Sequence, residues 1–225
     1  MPIEKHLLSK SSYIRSLQCL KSLYLYKYHY KLRDPLPPEL KIRFEKGHDI
    51  GKLAQQLFPG GVDCSPPAPW DYRKSVEKTR QLIESCQHTI YEAAFQYEQV
   101  LAAADILLNR AGKWFVYEVK SSLKVSDTYL HDAALQYFLI SNSGIQIEDF
   151  LILHLNRNLD EAITASPSEI FTETSVKDYC LYQSETVAKN IFSAKTVIEQ
   201  KVIPDIAVGE QCLKPYKCDF YGYCH

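Results

Sequence analysis

The chain lacks any apolar run long enough to span a bilayer, and Met1 to Lys10 holds no apolar core of signal-peptide length. A cytoplasmic protein with no membrane partner is therefore expected. Net charge is nearly absent too: 26 basic residues stand against 27 acidic ones, giving -1. Bulk charge thus gives no sign of a nucleic-acid binder, and an anionic substrate would need a local basic patch or metal ions. We find no internal repeat, no low-complexity tract and no linker that would split the chain into two folding units. No helicase motif is present, so any motor would be a separate protein. An odd number of cysteines, seven, argues against a fully paired disulfide framework, and in the cytoplasm they read as metal ligands or buried thiols.

What remains is a chain of 225 residues, 46% hydrophobic and 24% charged, which suits one decorated globular domain. Ser9-Lys10-Ser11-Ser12 supplies hydroxyl caps for a helix that carries Cys19, Leu20 and Leu23 and continues to Leu32. Asp34-Pro35-Leu36-Pro37-Pro38 ends that element. A long amphipathic helix is expected over 39–57, with His48 in its middle, and a charged helix over 71–85. Strand character follows at 89–95, 100–108 and 114–120, with a turn at 109–113 that makes the last two an antiparallel hairpin. A helix over 129–141, an apolar strand over 150–155 and a further helix from Ser184 complete the order. That succession predicts an α/β fold with a mixed sheet and helices on its faces.

The hairpin carries the chemistry. Asp105 lies on its first strand and Glu118 on its second, so the two carboxylates can meet across the ladder. Lys120 stands two residues beyond Glu118 and shares its face. Carboxylates are hard-oxygen ligands for Mg²⁺ or Mn²⁺, and such an ion would polarise a phosphodiester and activate water. The lysine could orient or deprotonate that water, or neutralise developing charge. An isolated Glu-x-Lys is usually a surface ion pair, but Asp105 sits between Ala102-Ala103-Ala104 and Ile106-Leu107-Leu108, where a carboxylate needs a partner. Glu92 is a further acidic residue, read as structural.

Cysteines mark both ends. Cys212, Cys218 and Cys224 are evenly spaced, and Cys19 stands far upstream. One site built from both termini would explain this layout, and four thiolates suit zinc or an iron–sulfur cluster. The gaps exceed the paired spacing of a zinc finger. Cys64, Cys86 and Cys180 fit no pattern. The run Tyr24-Leu25-Tyr26-Lys27-Tyr28-His29-Tyr30 has two readings: rings that pad a domain surface, or rings that stack on bases beside cations.

Asp105-Ile106-Leu107 followed by Glu118-Val119-Lys120-Ser121-Ser122 resembles the PD-(D/E)xK nuclease superfamily. With His48 in Gly47-His48-Asp49-Ile50-Gly51 and Gln136-Tyr137 after the lysine strand, the chain is more closely similar to the RecB-like exonuclease branch. The four cysteines are similar to those of its iron–sulfur members, among them CRISPR-associated RecB-like exonucleases and AddB nuclease domains. The likeness runs from Cys19 to Cys224. It departs from the group's commonest cysteine pattern, whose first pair is tighter. The resemblance implies a restriction-endonuclease-like mixed sheet flanked by helices, with the termini joined by a cysteine cluster. A single domain, 1–225, would contain a nuclease core at 48–156, with 1–33 and 200–225 forming the cysteine subdomain. His48, Asp105, Glu118 and the Val119 carbonyl would bind Mg²⁺ or Mn²⁺. Lys120 would be the catalytic lysine, and Gln136 would position the substrate or that lysine. Cys19, Cys212, Cys218 and Cys224 would hold a [4Fe–4S] cluster, with Zn²⁺ as the alternative. The implied activity is a DNA exonuclease on single strands or free ends, working with a separate helicase or with CRISPR or repair proteins. The alternative is a RecB-like module that binds nucleic acid or a protein partner with little or no cleavage.

Overall fold

The computed structural model describes residues 5–35, 47, 49–68, 71–157 and 166–225. His48, residues 39–46 of the expected 39–57 helix and the proline run from Leu36 to Pro38 lie outside them. Within that segment, residues 49–55 are helical. The first strand, β1 (Leu8–Ser9), leads directly into α1 (Lys10–Gln18) and α2 (Leu20–Tyr28). Next come β2 (Val62–Asp63), α3 (Tyr72–Glu84), β3 (Thr89–Tyr97), β4 (Val100–Arg110) and β5 (Lys113–Lys120). They are followed by α4 (Asp127–Asn142), β6 (Ile147–Leu155), α5 (Pro167–Ile170), β7 (Phe171–Ser175), α6 (Lys177–Gln200) and α7 (Tyr221–Cys224).

The result is a mixed α/β fold, with a seven-stranded sheet in the order β2-β3-β4-β5-β6-β7 and β1 alongside β4. The β4–β5 pair is antiparallel, as the turn residues at 109–113 predicted; β3–β4 is antiparallel too, and β5–β6 is parallel. Ala111 and Gly112 close the second hairpin with positive φ at both positions, the backbone that a right-twisted two-residue loop requires. Two elements differ from the sequence reading. The N-terminal helix is broken at Cys19, which is extended (φ -165°, ψ 119°) and separates α1 from α2. The final helix begins at Lys177, because Phe171–Ser175 is taken up as strand β7 against β6. The short strands β1 and β2, each of two residues, carry too few side chains to show a period.

Helices cover both faces. One core joins β3, β4 and β6 with Tyr13 of α1, Leu135 and Ile140 of α4, and Val187 and Ile191 of α6. The other joins Tyr117, Leu151 and Leu153 with Ile50, Ala54 and Phe58. Alternation fails once, in the middle of β3 and β4. Ala102 and Ala104 face the first core, yet Ile106 and Leu108 face the second. The same switch occurs on β3 between Tyr91 and Ala93. Glu92 sits at the switch with φ +52°, and the ladder skips from Tyr91↔Ile106 to Ala93↔Ala104. Strand residues alternate strictly, so this break in the pleat changes where the intervening side chains, Glu92 and Asp105, are aimed.

Candidate active site

β5 leaves β4 at the same place. Their ladder runs from Arg110↔Lys113 to Ile106↔Tyr117, while β1 takes the same edge of β4 at Val100 and Leu101. The Asp105 carboxylate fills the resulting fork: its Oδ2 accepts the Val119 amide at 2.6 Å. A side chain thus replaces the ladder bond where the two backbones part.

Glu118 is next to this fork and only 2% exposed. Every second residue of β5 faces α4, so Glu118 and Lys120 share that side. Lys120 Nζ donates to Glu118 Oε1 at 2.6 Å and to Asp132 Oδ2 of α4 at 2.5 Å. One turn further on, buried Gln136 donates Nε2 to Glu118 Oε2 at 2.7 Å. From the start of α1, Lys10 Nζ reaches Glu118 Oε1 at 2.8 Å and Asp132 Oδ2 at 3.6 Å. The structure thus brings Asp105, Glu118, Val119, Lys120 and Gln136 to one place; the residues themselves did not indicate the whole cluster. The sequence pattern did not indicate Lys10 or Asp132. Lys10 looked like part of a capping segment, and Asp132 stands one helical turn before Gln136, which is the only signal that could have found it.

The electrostatics follow from burial. Desolvation, and next the Glu118 charge, push the Asp105 carboxyl up to about 8. Desolvation alone would raise Glu118 as well, but the Lys10 and Lys120 ammonium groups hold it well below the usual carboxylate range. Lys120 is driven the other way. Burial lowers it, and Glu118 and Asp132 more than restore it, so it stays a firm cation. Glu92 is raised by burial, against the attraction of Lys10. Two buried acceptors on residues of this cluster, Asp132 Oδ1 and Gln136 Oε1, have no hydrogen-bond partner among the described residues.

Those two oxygens, with the carboxylates of Asp105 and Glu118, make an oxygen-rich donor set suited to a hard divalent ion. As the side chains stand, no group of three or more His, Cys, Asp or Glu among the described residues is arranged to hold a metal. The expected meeting of His48 with Asp105 and Glu118 lies outside the described residues.

The cysteines gather at the other end of α1. Cys19, Cys212, Cys218 and Cys224 line one small cavity together with Leu25 and Phe220. Burial raises the Cys224 thiol; Lys21 opposes this, and the other three cysteines reinforce it. The Phe220 amide donates to Cys218 Sγ at 3.5 Å. Four soft donors around one apolar cavity fit a thiolate-bound cofactor, although their sulfurs, too, do not yet form a ligand arrangement.

Contacts other than the cysteines also anchor the tail. Phe220 is fully buried. Asp219 accepts Arg15 through both oxygens, at 2.5 and 3.0 Å, and Arg33 Nε at 2.5 Å. Gln18 donates to the carbonyls of Gln211 and Tyr216. Gly222 donates its amide to Asp34 Oδ2 at 3.0 Å. A Cβ at Gly222 would meet Asp34 Oδ1 at 2.7 Å, so a larger residue there would push the Asp34 carboxylate aside. Cys64 and Cys180 are buried and Cys86 is exposed, all away from this cavity.

The tyrosine run pads the surface. Tyr24 and Tyr28 donate to the carbonyls of Lys201 and Ile198, and the Arg15 guanidinium lies 4.4 Å from the Tyr26 ring centroid. Among the described residues no helix is long and apolar enough to cross a membrane.

No family model matches the chain, and no curated protein matches it either. A solved structure titled "Crystal structure of SSO0001" is similar over 87% of this chain and 78% of that one, at 11% identity and a TM-score of 0.40.

Proposed function

We propose that the chain is a divalent-metal-dependent DNA nuclease of the RecB-like type, acting on single strands or free ends. One observation carries the reading: Asp105, Glu118, Lys120 and Gln136, drawn from two strands and a helix, share one buried polar cluster. Mg²⁺ or Mn²⁺ would be held by Asp105, Glu118 and the Val119 carbonyl, with His48 as a further ligand. Such an ion, when bound, supplies Lewis acidity and a more acidic bound water. The chain's own residues do the rest. Asp105 holds the fork of β4 and β5 in place through the Val119 amide. Gln136 orients Glu118. Lys120 remains protonated beside Glu118 and Asp132, so its role is to place positive charge against the phosphate and its leaving oxygen, not to act as the base. Burial of the cluster excludes water and strengthens each of these interactions.

In the same reading Cys19, Cys212, Cys218 and Cys224 hold a [4Fe–4S] cluster, with Zn²⁺ as the alternative. Their shared cavity and the amide-to-sulfur bond at Cys218 support it, because hydrogen bonds to sulfur are a standard means of tuning such centres. The cytoplasm is the fitting location, and a separate unwinding protein would deliver the strand. The rival reading, a binding module with little cleavage, draws on Lys10 and Lys120 already occupying Glu118.

The test is degradation of end-labelled single-stranded DNA by purified protein with Mn²⁺, alongside closed circular duplex and a Lys120→Ala control. The reading predicts loss of the single strand, slow attack on the circle and no activity in the variant. Binding without cleavage would establish the module instead, and equal cleavage of both substrates would exclude an exonuclease.

A further inference from the structure

We propose that Lys10 is the counter-cation of the carboxylate centre, and that a divalent ion binds Glu118 by displacing it. The inference rests on the nuclease reading for the ion's place, while its basis is the geometry of Lys10 itself. Three donors engage Glu118: Lys10 and Lys120 share Oε1, and Gln136 donates to Oε2. Oε1 already accepts two ammonium groups, one for each of its lone pairs, so an ion that coordinates Oε1 must remove a lysine. Lys120 is the harder one to remove. It is held at 2.6 and 2.5 Å by two carboxylates, and Tyr129 lies over its ammonium with the ring centroid at 4.9 Å. Lys10 has one short contact, at 2.8 Å, and one loose contact, at 3.6 Å. The loose contact gives it somewhere to go. Asp132 Oδ1 is buried with no hydrogen-bond partner among the described residues, so Asp132 keeps acceptor capacity for a Lys10 ammonium that leaves Glu118 to the ion.

Position on the chain supports this use. Lys10 is the first residue of α1, capped by the Ser9 hydroxyl, which accepts the Ser12 amide at 3.3 Å. Immediately before it, β1 is bonded to the edge of β4 at Val100 and Leu101. The backbone is therefore fixed while the side chain alone moves. With Lys10 on Glu118, the buried carboxylates are compensated before an ion arrives, which lowers the cost of burying them. That same contact opposes the ion, so Lys10 reduces metal affinity while it supports the folded centre.

Mn²⁺ affinity, measured by calorimetry and by the signal of free Mn²⁺ in electron paramagnetic resonance, tests the idea without reference to cleavage. The proteins are wild type, Lys10→Gln, Lys10→Met, Lys10→Arg and Glu118→Gln. Lys10→Gln and Lys10→Met should bind Mn²⁺ about tenfold more tightly than wild type, which is about 1.4 kcal/mol. Lys10→Arg, which keeps the charge, should stay within about threefold of wild type. Glu118→Gln should lose the site. If Lys10→Met fails to fold, Lys10→Gln, which keeps a donor, gives the answer. Equal or weaker binding in Lys10→Gln, or no binding in any protein, overturns the proposal. The nuclease reading fails separately, if wild type and Lys10→Gln bind Mn²⁺ in the expected order yet neither cleaves DNA.

Discussion

Asp105 and Val119 join across the fork of β4 and β5, the carboxylate accepting the amide at 2.6 Å. The contact couples a buried acid to the path of the strand that carries Glu118 and Lys120. Its pH dependence is a direct test. In chelator-treated protein the Asp105 carboxyl is pushed up to about 8 by burial and by Glu118, against about 3.9 in an unfolded chain. Between those values the folded state holds the extra proton. Stability is therefore greatest below about pH 4 as far as this group is concerned, and it falls as pH rises towards about 8. Asp105→Asn should remove that part of the decline. Urea midpoints measured at several pH values would show it, and an unchanged pH slope in the variant would refute the assignment.

Glu118 compensates two lysines at once, so its variants separate chemistry from folding. Glu118→Ala leaves Lys10 and Lys120 short of an acceptor and should cost about 3–5 kcal/mol of stability, as expected when one member of a buried ion pair is removed. Glu118→Gln keeps the shape and an acceptor oxygen, and should cost less. Both should lower Mn²⁺-dependent cleavage by at least about a thousandfold. Thermal melts beside initial rates distinguish the two effects. A fully stable Glu118→Ala protein would mean that the lysines are compensated elsewhere.

Asp219 binds Arg15 of α1 and Arg33 beyond α2. Burial raises its carboxyl, and the Arg15 and Arg33 guanidiniums outweigh that, for a net lowering. Its contribution to stability is present at neutral pH and is lost only as pH falls below about 3.8. Asp219→Asn should weaken tail docking by about 2 kcal/mol at neutral pH. Limited proteolysis should then cut the last residues faster while the sheet survives. An unchanged cutting pattern would show that Phe220 and the cysteine site suffice.

Cys19 and Cys218 belong to the same cavity, though 199 positions of numbering do not separate them in space. Cys19→Ser should lower iron content by more than about half, since one of four thiolates is removed. Because Arg15 and Gln18 hold the tail independently, most of the fold should persist. Iron and zinc analysis beside far-ultraviolet circular dichroism tests both halves. Full metal content in Cys19→Ser would exclude Cys19 as a ligand.

Much of the architecture was legible in the residues themselves. Alternation and turn residues revealed β3, β4 and β5, because local side-chain period and loop chemistry are short-range properties. The same spacing put Glu118 and Lys120 on one face, and Asp105 opposite Glu118 across the hairpin. Gln136 was found through family resemblance alone. Tertiary structure decided the rest. The two-residue strands β1 and β2 exist because longer strands offer them an edge, and Phe171–Ser175 is a strand because β6 has a free side. The pleat break at Glu92 and Asp105 depends on two strands kinking together. Lys10, at the start of α1, meets Glu118 only because β1 docks where β5 departs. Its sequence neighbours describe a helix cap, while its chemistry depends on residues more than a hundred positions away, and no local pattern encodes a contact of that range.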